Sequence, residues 1–250
     1  MPALHYFVSD VQLGAGNMAH HEEKFVRFLK SLPAESSSLY LLGDIFDFWY
    51  EYKYVVPKGF VRVLGSLAEL VDRGVSVYFL RGNHDMWTFG YLEKEIGITV
   101  LDECSVVNIA GRRFFLAHGD ELTGERSHIW MKRVFRSRLF QSLLSACHPR
   151  WTFSVAGRWS RRNRLTEEIP LTFRGINDPL YKYVSEIETK EKIDYFIFGH
   201  LHTHGDCQTP AGATFCILGD WLNGCDYLVF DAERDRIEWR SESREPVVER

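Results

Sequence analysis

Short apolar runs alternate with amphipathic stretches along the first half of the chain. Leu4 to Val8 is apolar and stops at Ser9-Asp10, which predicts a buried strand. Glu22 to Leu32 carries Phe25, Phe28, Leu29 and Leu32 at helical spacing and is closed by Pro33. Leu39 to Leu42 predicts a second strand, stopped by Gly43. Val61, Leu64, Leu67, Ala68 and Val71 predict a helix ending at Gly74, and Val75 to Leu80 a third strand stopped by Gly82. Val106 to Ile109 and Arg113 to Ala117 predict a hairpin around Ala110-Gly111-Arg112. Leu180 to Ile187 predicts a helix, and Asp194 to Phe198 a strand stopped by Gly199. The last fifty residues alternate short strands with Gly, Asp and Asn turns. Strand–helix–strand–helix–strand followed mostly by strands is the order of an α/β fold with a mixed sheet or two packed sheets. Residues 1–250 read as a single domain, without repeat or linker, and a segment at about 124–170 interrupts the pattern as an insertion.

Composition narrows the class. With 250 residues, 45% hydrophobic and 26% charged, the chain is neither disordered nor collagen-like. No run approaches the ~18 apolar residues of a spanning helix. Met1 to His5 has no basic start leading into an apolar stretch, so no signal peptide is expected and the chain is placed in the cytoplasm. The five cysteines, Cys104, Cys147, Cys207, Cys216 and Cys225, form no C-x-x-C pair, which argues against a disulfide framework or a thiolate zinc site.

The net charge of −4 conceals an asymmetry. Arg126 to Thr166 holds ten basic residues and no Asp or Glu; the remaining 20 basic and 34 acidic residues leave the body at −14. So basic a block inside an acidic body calls for an anionic partner or an internal acidic one.

Five motifs follow predicted strands: Asp10-Val11-Gln12, Gly43-Asp44-Ile45-Phe46-Asp47, Gly82-Asn83-His84-Asp85, His118-Gly119-Asp120 and Gly199-His200-Leu201-His202. Ligand sites of α/β sheets gather beyond strand ends. Carboxylate, amide and imidazole donors without thiolate suit Mn²⁺ or Fe²⁺, with Zn²⁺ possible. Two such ions sharing one Asp clamp a phosphoryl group for in-line displacement.

This order resembles the calcineurin-like metallophosphoesterases, over about Asp10 to His202. The resemblance implies two packed mixed β-sheets flanked by helices. It implies that Asp10 and His202 bind a first ion, that Asp44 bridges, and that Asn83, His118 and His200 bind a second. It implies that His84 contacts the phosphate and protonates the leaving oxygen, while Asp85 orients His84 or ties down its loop. The family's first motif carries His where this chain has Gln12. A Gln carbonyl ligates hard ions and serves softer metals less well than imidazole. D-x-Q resembles the version found in some diphosphate-cleaving members of the family, and that resemblance implies Mn²⁺ as the metal.

Gly43 to Trp49, His118-Gly119-Asp120 followed by a long insertion, and the chain length resemble the UDP-2,3-diacylglucosamine diphosphatases. That implies hydrolysis of a lipid-linked nucleotide diphosphate to UMP and a diacylglucosamine 1-phosphate, under a helical cap that holds acyl chains. In the insertion, Met131, Val134, Phe135 and Leu139 fall on one helical face; Lys132, Arg133 and Arg136 lie off it, although Arg138 does not, and Trp130, Trp151 and Trp159 are interleaved. Such a composition suits an anionic membrane surface, contacted through 126–166 at the inner face of the cytoplasmic membrane. Arg158, Arg161, Arg162 and Arg164, with Asn163, are candidates to grip a diphosphate. The plainer alternative is a helical hairpin whose arginines pair with the acidic body. Nucleic acid shares this basic-aromatic footprint, but the acidic body disfavours it. Two other functions compete: a soluble phosphodiesterase or nucleotide pyrophosphatase, and a catalytically silent scaffold suggested by Gln12. Asp47 reads as a turn or supporting residue, His204 as loop surface, and Asp220 as a possible border of the site without an assigned role.

Overall fold

The computed structural model describes residues 3–15, 19–33, 37–120, 133–166, 172–222 and 224–242, without the side chains of 19, 20 and 161–166. Its strands are β1 (Leu4–Val8), β2 (Ser37–Leu42), β3 (Ser76–Leu80), β4 (Thr99–Val100), β5 (Cys104–Ile109), β6 (Arg112–Ala117), β7 (Tyr195–Phe198), β8 (Gly205–Gln208), β9 (Thr214–Ile217), β10 (Asp226–Asp231) and β11 (Arg236–Ser241). Its helices are α1 (Ala19–Ser31), α2 (Val61–Asp72), α3 (Arg138–Ala146), α4 (Pro149–Thr166) and α5 (Pro179–Glu188). One sheet has the order β11-β10-β1-β2-β3-β4 and the other β5-β6-β7-β9-β8; both are mixed.

The strands read as continuous apolar runs because both of their faces are covered, yet the alternation of side chains survives in what each face touches. Tyr6, Val8, Leu39, Leu41, Val77 and Phe79 turn outward onto Phe25, Phe28 and Leu29 of α1 and Val63, Leu64 and Leu67 of α2. Phe7, Tyr40, Leu42 and Leu80 turn inward onto Phe114, Leu116, Ile197 and Cys216 of the second sheet. The alternate residues Phe115, Phe196, Phe198, Phe215 and Ile217 pack beneath Leu180, Val184 and Ile187 of α5. A stack of rings crosses from sheet to sheet: Tyr78 on Tyr40 (4.7 Å), Tyr40 on Phe7 (4.9 Å), Phe7 on Phe114 (5.7 Å) and Phe114 on Tyr195 (4.6 Å). Helices outside and two sheets inside make the αββα sandwich that the motifs imply.

β1, β2 and β3 are parallel neighbours, and so are β6 and β7. Within each sheet these strands deliver their following loops to one edge, and contacts of His118 with Leu42 and Asp44 and of His200 with Asp10 join the two edges into one. The loops after β1 and β2 go on pairing beyond the strands: the N–H groups of Asp10, Gln12 and Leu13 donate to the carbonyls of Gly43, Asp44 and Ile45 at 3.1, 2.9 and 2.9 Å.

The single helical face expected from Met131 to Leu139 does not form. At Ser137 the backbone is extended, with ψ at 139°, and the Ser137 hydroxyl accepts from Phe140 N–H at 3.2 Å, capping α3. A Ser with its side chain on the first turn starts a new helix rather than continuing the old one. Phe135 accordingly packs on Trp87 and Phe140, while Leu139 is exposed. Met131 lies outside the described residues.

Candidate metal centre

Five of the seven candidate ligands sit in left-handed backbone: Asp10 (φ 53°), Gln12 (φ 49°), Asp44 (φ 53°), His200 (φ 70°) and His202 (φ 51°). Left-handed Gln and His are strained conformations that persist where the surroundings over-determine them, as at ligand-binding sites. The tight approach of the loops explains the glycines between them. A Cβ on Gly43, itself at φ 85°, would lie 2.7 Å from His118 Nδ1 and 2.8 Å from the Gly82 backbone.

Asp44 is the centre. Its Oδ1 accepts His84 N–H at 2.9 Å, and its Oδ2 lies 3.4 Å from His118 Nε2 and 3.9 Å from His84 Nε2. Ligand atoms of Asp44, His118 and His200 all fall within 4.8 Å of one another. Asn83 Oδ1 is 3.2 Å from His118 Nε2. His118 Nδ1–H donates to the Leu42 carbonyl at 2.8 Å, which fixes the ring and aims Nε2 at Asp44.

Asp10 and Gln12 form the other half. Asp10 Oδ2 accepts the Ser9 hydroxyl at 2.6 Å and His200 N–H at 2.9 Å, while its Oδ1 faces His202 Nε2 at 3.6 Å. Gln12 Nε2 is 3.2 Å from the same His202 nitrogen. Asp10 Oδ1 and Gln12 Oε1 are buried without a hydrogen-bond partner. Two orphaned buried acceptors two residues apart on one loop have the chemistry of a cation site, because such atoms otherwise cost their full desolvation. The donor set, oxygens and imidazoles without sulfur, fits divalent ions of the hard-to-borderline kind.

The charges agree with that assignment. Burial alone would raise the Asp44 carboxyl, but His118 and His84 beside it hold it well below the usual carboxylate range. Burial pushes Asp10 up, against the pull of His202 and His118. Burial alone would lower His118 and His202; Asp44 overrides it at His118, pushed up to about 10, and Asp220 with Asp10 overrides it at His202, pushed up to about 9. His200, buried against His118, is pushed down to about 3 and stays neutral, the state of a ligand.

His84 is brought to the rim, with its Nδ1–H donating to the Asp47 carbonyl at 2.8 Å and its Nε2 toward Asp44. Asp85 does not touch that ring. Its carboxylate is fully buried and accepts four backbone N–H groups: Asp44 at 3.1 Å, Gly82 at 2.8 Å, Ile45 at 2.7 Å and Phe46 at 3.3 Å. Of the two tasks the sequence offers, this geometry is that of a loop tie. Arg158 is exposed on α4, and the side chains of Arg161, Arg162, Asn163 and Arg164 lie outside the described residues.

Three contributors carry weaker signals in the sequence. Asp220 Oδ2 lies 3.3 Å from His202 Nδ1, the position that orients a ligating ring. It follows Gly219 after the apolar run Phe215 to Leu218, the same strand-then-loop arrangement as the five motifs. Ser9 pins Asp10, and Asp47 holds His84 through its backbone carbonyl. His204 lies 3.1 Å from Asp226 on the surface.

The model of the calcineurin-like phosphoesterase family matches residues 6–204, which contain all seven candidate ligands. The chain belongs to this family. This metallophosphoesterase is 38% identical over 244 residues to a UDP-2,3-diacylglucosamine hydrolase of Porphyromonas gingivalis, covering 90% of this chain and 93% of that one. It is 29% identical to the enzyme of the same name from Neisseria gonorrhoeae, covering 87% and 90%. Among solved structures, an archaeal phosphodiesterase shares the fold at 12% identity, with a TM-score of 0.51 over 95% of this chain and 98% of that one.

Proposed function

We propose that this metallophosphoesterase hydrolyses the diphosphate of UDP-2,3-diacylglucosamine, releasing UMP and 2,3-diacylglucosamine 1-phosphate. The observation that carries the reading is the cleft of Asp10, Gln12, Asp44, Asn83, His118, His200 and His202 on a chain so similar, end to end, to hydrolases named for that substrate. Asp10, Gln12 and His202 would hold one ion, Asn83, His118 and His200 a second, with Asp44 between them and Mn²⁺ the favoured metal. When bound, the ions supply the positive charge that polarises the phosphoryl oxygens and makes water at the site a better nucleophile. Water attacks the α-phosphorus, the bond to the bridging oxygen breaks, and the sugar phosphate leaves. His84 Nε2, 3.9 Å from Asp44 Oδ2 on a partly exposed ring, donates a hydrogen bond to the phosphoryl group and a proton to the leaving oxygen.

Residues 124–170 act in this proposal as a cap over the acyl chains, resting on the inner face of the cytoplasmic membrane. Exposed Leu139 and Leu143 on α3, and Trp151, Val155 and Trp159 on α4, recur at every fourth position beside Arg138, Arg150 and Arg158. Among the described residues no helix is long and apolar enough to cross a membrane. Arg136 pairs with Glu103 of the body, so part of the basic charge is internal.

The test is turnover by purified protein with Mn²⁺, offering UDP-2,3-diacylglucosamine, UDP-glucose and an aryl phosphodiester. Selective release of UMP from the lipid supports the proposal. Turnover of only the soluble substrates would replace it with a soluble phosphodiesterase, and no turnover by folded, metal-loaded protein would overturn it.

A further inference from the structure

We infer that Ser160 of α4 is a positioning residue that sets the ring of His84 through Asp47; the inference rests on the proposed function in giving His84 a part in the reaction. Asp47 touches both sides. Its main chain is fixed by N–H donation to the Leu13 carbonyl at 2.9 Å, and its own carbonyl accepts His84 Nδ1–H at 2.8 Å. Its carboxylate Oδ1 accepts the hydroxyl of Ser160, which is buried at 4% exposure while Arg158 and Trp159 just before it are exposed.

Two acceptors thus compete for one ring N–H. The Asp47 carboxylate oxygen is 3.8 Å from His84 Nδ1, a side-chain rotation away from taking the bond. A carboxylate is the stronger acceptor, because an ionised partner roughly doubles the strength of such a bond. The Ser160 hydroxyl occupies that oxygen and leaves the ring on the carbonyl, with Nε2 turned to Asp44. A ring captured by the carboxylate would turn Nε2 away.

The same helix and the segment just before α3 brace both loops. Phe48, next to Asp47, meets Phe153 of α4 edge-on at 5.1 Å, and Trp87, three residues after His84, donates its indole N–H to the Phe135 carbonyl at 3.1 Å. Docking of the insertion and the pose of His84 are therefore one event: the insertion that covers the substrate also brings the proton donor to it.

The experiment compares Ser160→Ala and Ser160→Thr with the wild type, all loaded with Zn²⁺, in two readouts. The first is the solvent exchange of the His84 Nδ1 proton by NMR, assigned from its loss in His84→Gln. The second is kcat and KM across aryl phosphodiesters of graded leaving-group pKa. Removal of the hydroxyl is expected to speed the exchange ~10-fold or more. It should lower kcat ~10-fold for the poorest leaving groups with little change for the best, a fraction of the ~10²–10⁴ that a general acid contributes. KM should not move, and Thr should restore both readouts. Unchanged exchange with kcat falling equally for every leaving group, or a rise in KM alone, would overturn the inference. If His84→Gln itself leaves the leaving-group dependence unchanged, the fault lies in the role proposed for His84, and the exchange readout still decides whether Ser160 sets the ring.

Discussion

Gln12 Nε2 lies 3.2 Å from His202 Nε2, and the carbonyl oxygen of the same amide is buried with no partner. The amide thus engages the ring of a candidate ligand while presenting an oxygen to the cleft. An imidazole at position 12 would present a softer donor there. Gln12→Ala is expected to weaken the tighter Mn²⁺ affinity by ~10–100-fold, the range found when groups around a metal are removed. Gln12→His is expected to keep two ions but shift preference from Mn²⁺ toward Zn²⁺ or Fe²⁺. Competitive metal loading followed by elemental analysis checks both, and unchanged stoichiometry and preference in the two variants would remove Gln12 from the ligand set.

Asp85 should matter more to the fold than its place beside His84 suggests. Its carboxylate gathers four N–H groups from the turns that carry Asp44 and Asn83. Asp85→Ala leaves those buried donors unsatisfied, at a typical cost of ~1–3 kcal/mol each before relaxation. The expected loss is roughly 3 kcal/mol or more in urea unfolding of the metal-free protein, with weakened metal binding as Asp44 loses its support. Asp85→Asn, which keeps the shape and one acceptor oxygen, should fall between. An Asp85→Ala protein as stable as the wild type would refute the loop tie.

Metal binding should depend on pH with a definite sign. In the metal-free protein His202 is pushed up to about 9 and His118 to about 10, both above their ordinary 6.5. Their charged forms therefore stabilise the metal-free fold fully below pH ~6.5, and that stabilisation is lost as pH rises through about 9 and 10. A cation needs both rings neutral and must displace their protons. Affinity should rise with pH from 6.5 to 9, by about tenfold per unit for each proton displaced. Calorimetry in buffers of different ionisation enthalpy counts the protons; a pH-independent affinity with no release would contradict this arrangement of charge.

Much of the site was legible because its chemistry is written in local motifs. Asp10, Asp44, Asn83, His118 and His200 each follow a strand by a residue or a few, and parallel neighbours necessarily bring such loops together. The sandwich followed from the same strands, read as apolar runs covered on both faces. Support was harder to see. Asp220 and Ser9 act through their contacts with His202 and Asp10, and a lone Asp or Ser in a loop looks the same whether or not it makes such a contact. The link from Ser160 to Asp47 joins residues 113 apart through a fold contact that no periodicity records. The insertion misled for a physical reason: spacing alone made Met131 to Leu139 one helix, whereas Ser137 satisfies the first turn of α3 with its own side chain and so begins another.

The exposed apolar face of the insertion gives the membrane reading its sharpest test. Leu139 is 73% and Leu143 60% exposed, one turn apart on α3, with Trp151 at 70% and Val155 at 63% on α4. Neither leucine is part of the buried body, so Leu139→Glu with Leu143→Glu should leave unfolding midpoints nearly unchanged. Full burial of a leucine is worth about 1.5–3 kcal/mol, and even half of that for two side chains exceeds the ~1.4 kcal/mol of a tenfold change in affinity. Binding to phosphatidylglycerol vesicles should fall at least ~10-fold, and further with salt, since exposed arginines are screened over a Debye length of ~10 Å at 0.1 M. Turnover of UDP-2,3-diacylglucosamine presented in vesicles should fall with it, while turnover of an aryl phosphodiester should hold, because the candidate metal ligands lie on the strand loops. A double variant that binds vesicles and turns over the lipid as the wild type does would take the membrane contact away from α3. Equal loss on the soluble ester would instead make the leucines part of the docking between insertion and body.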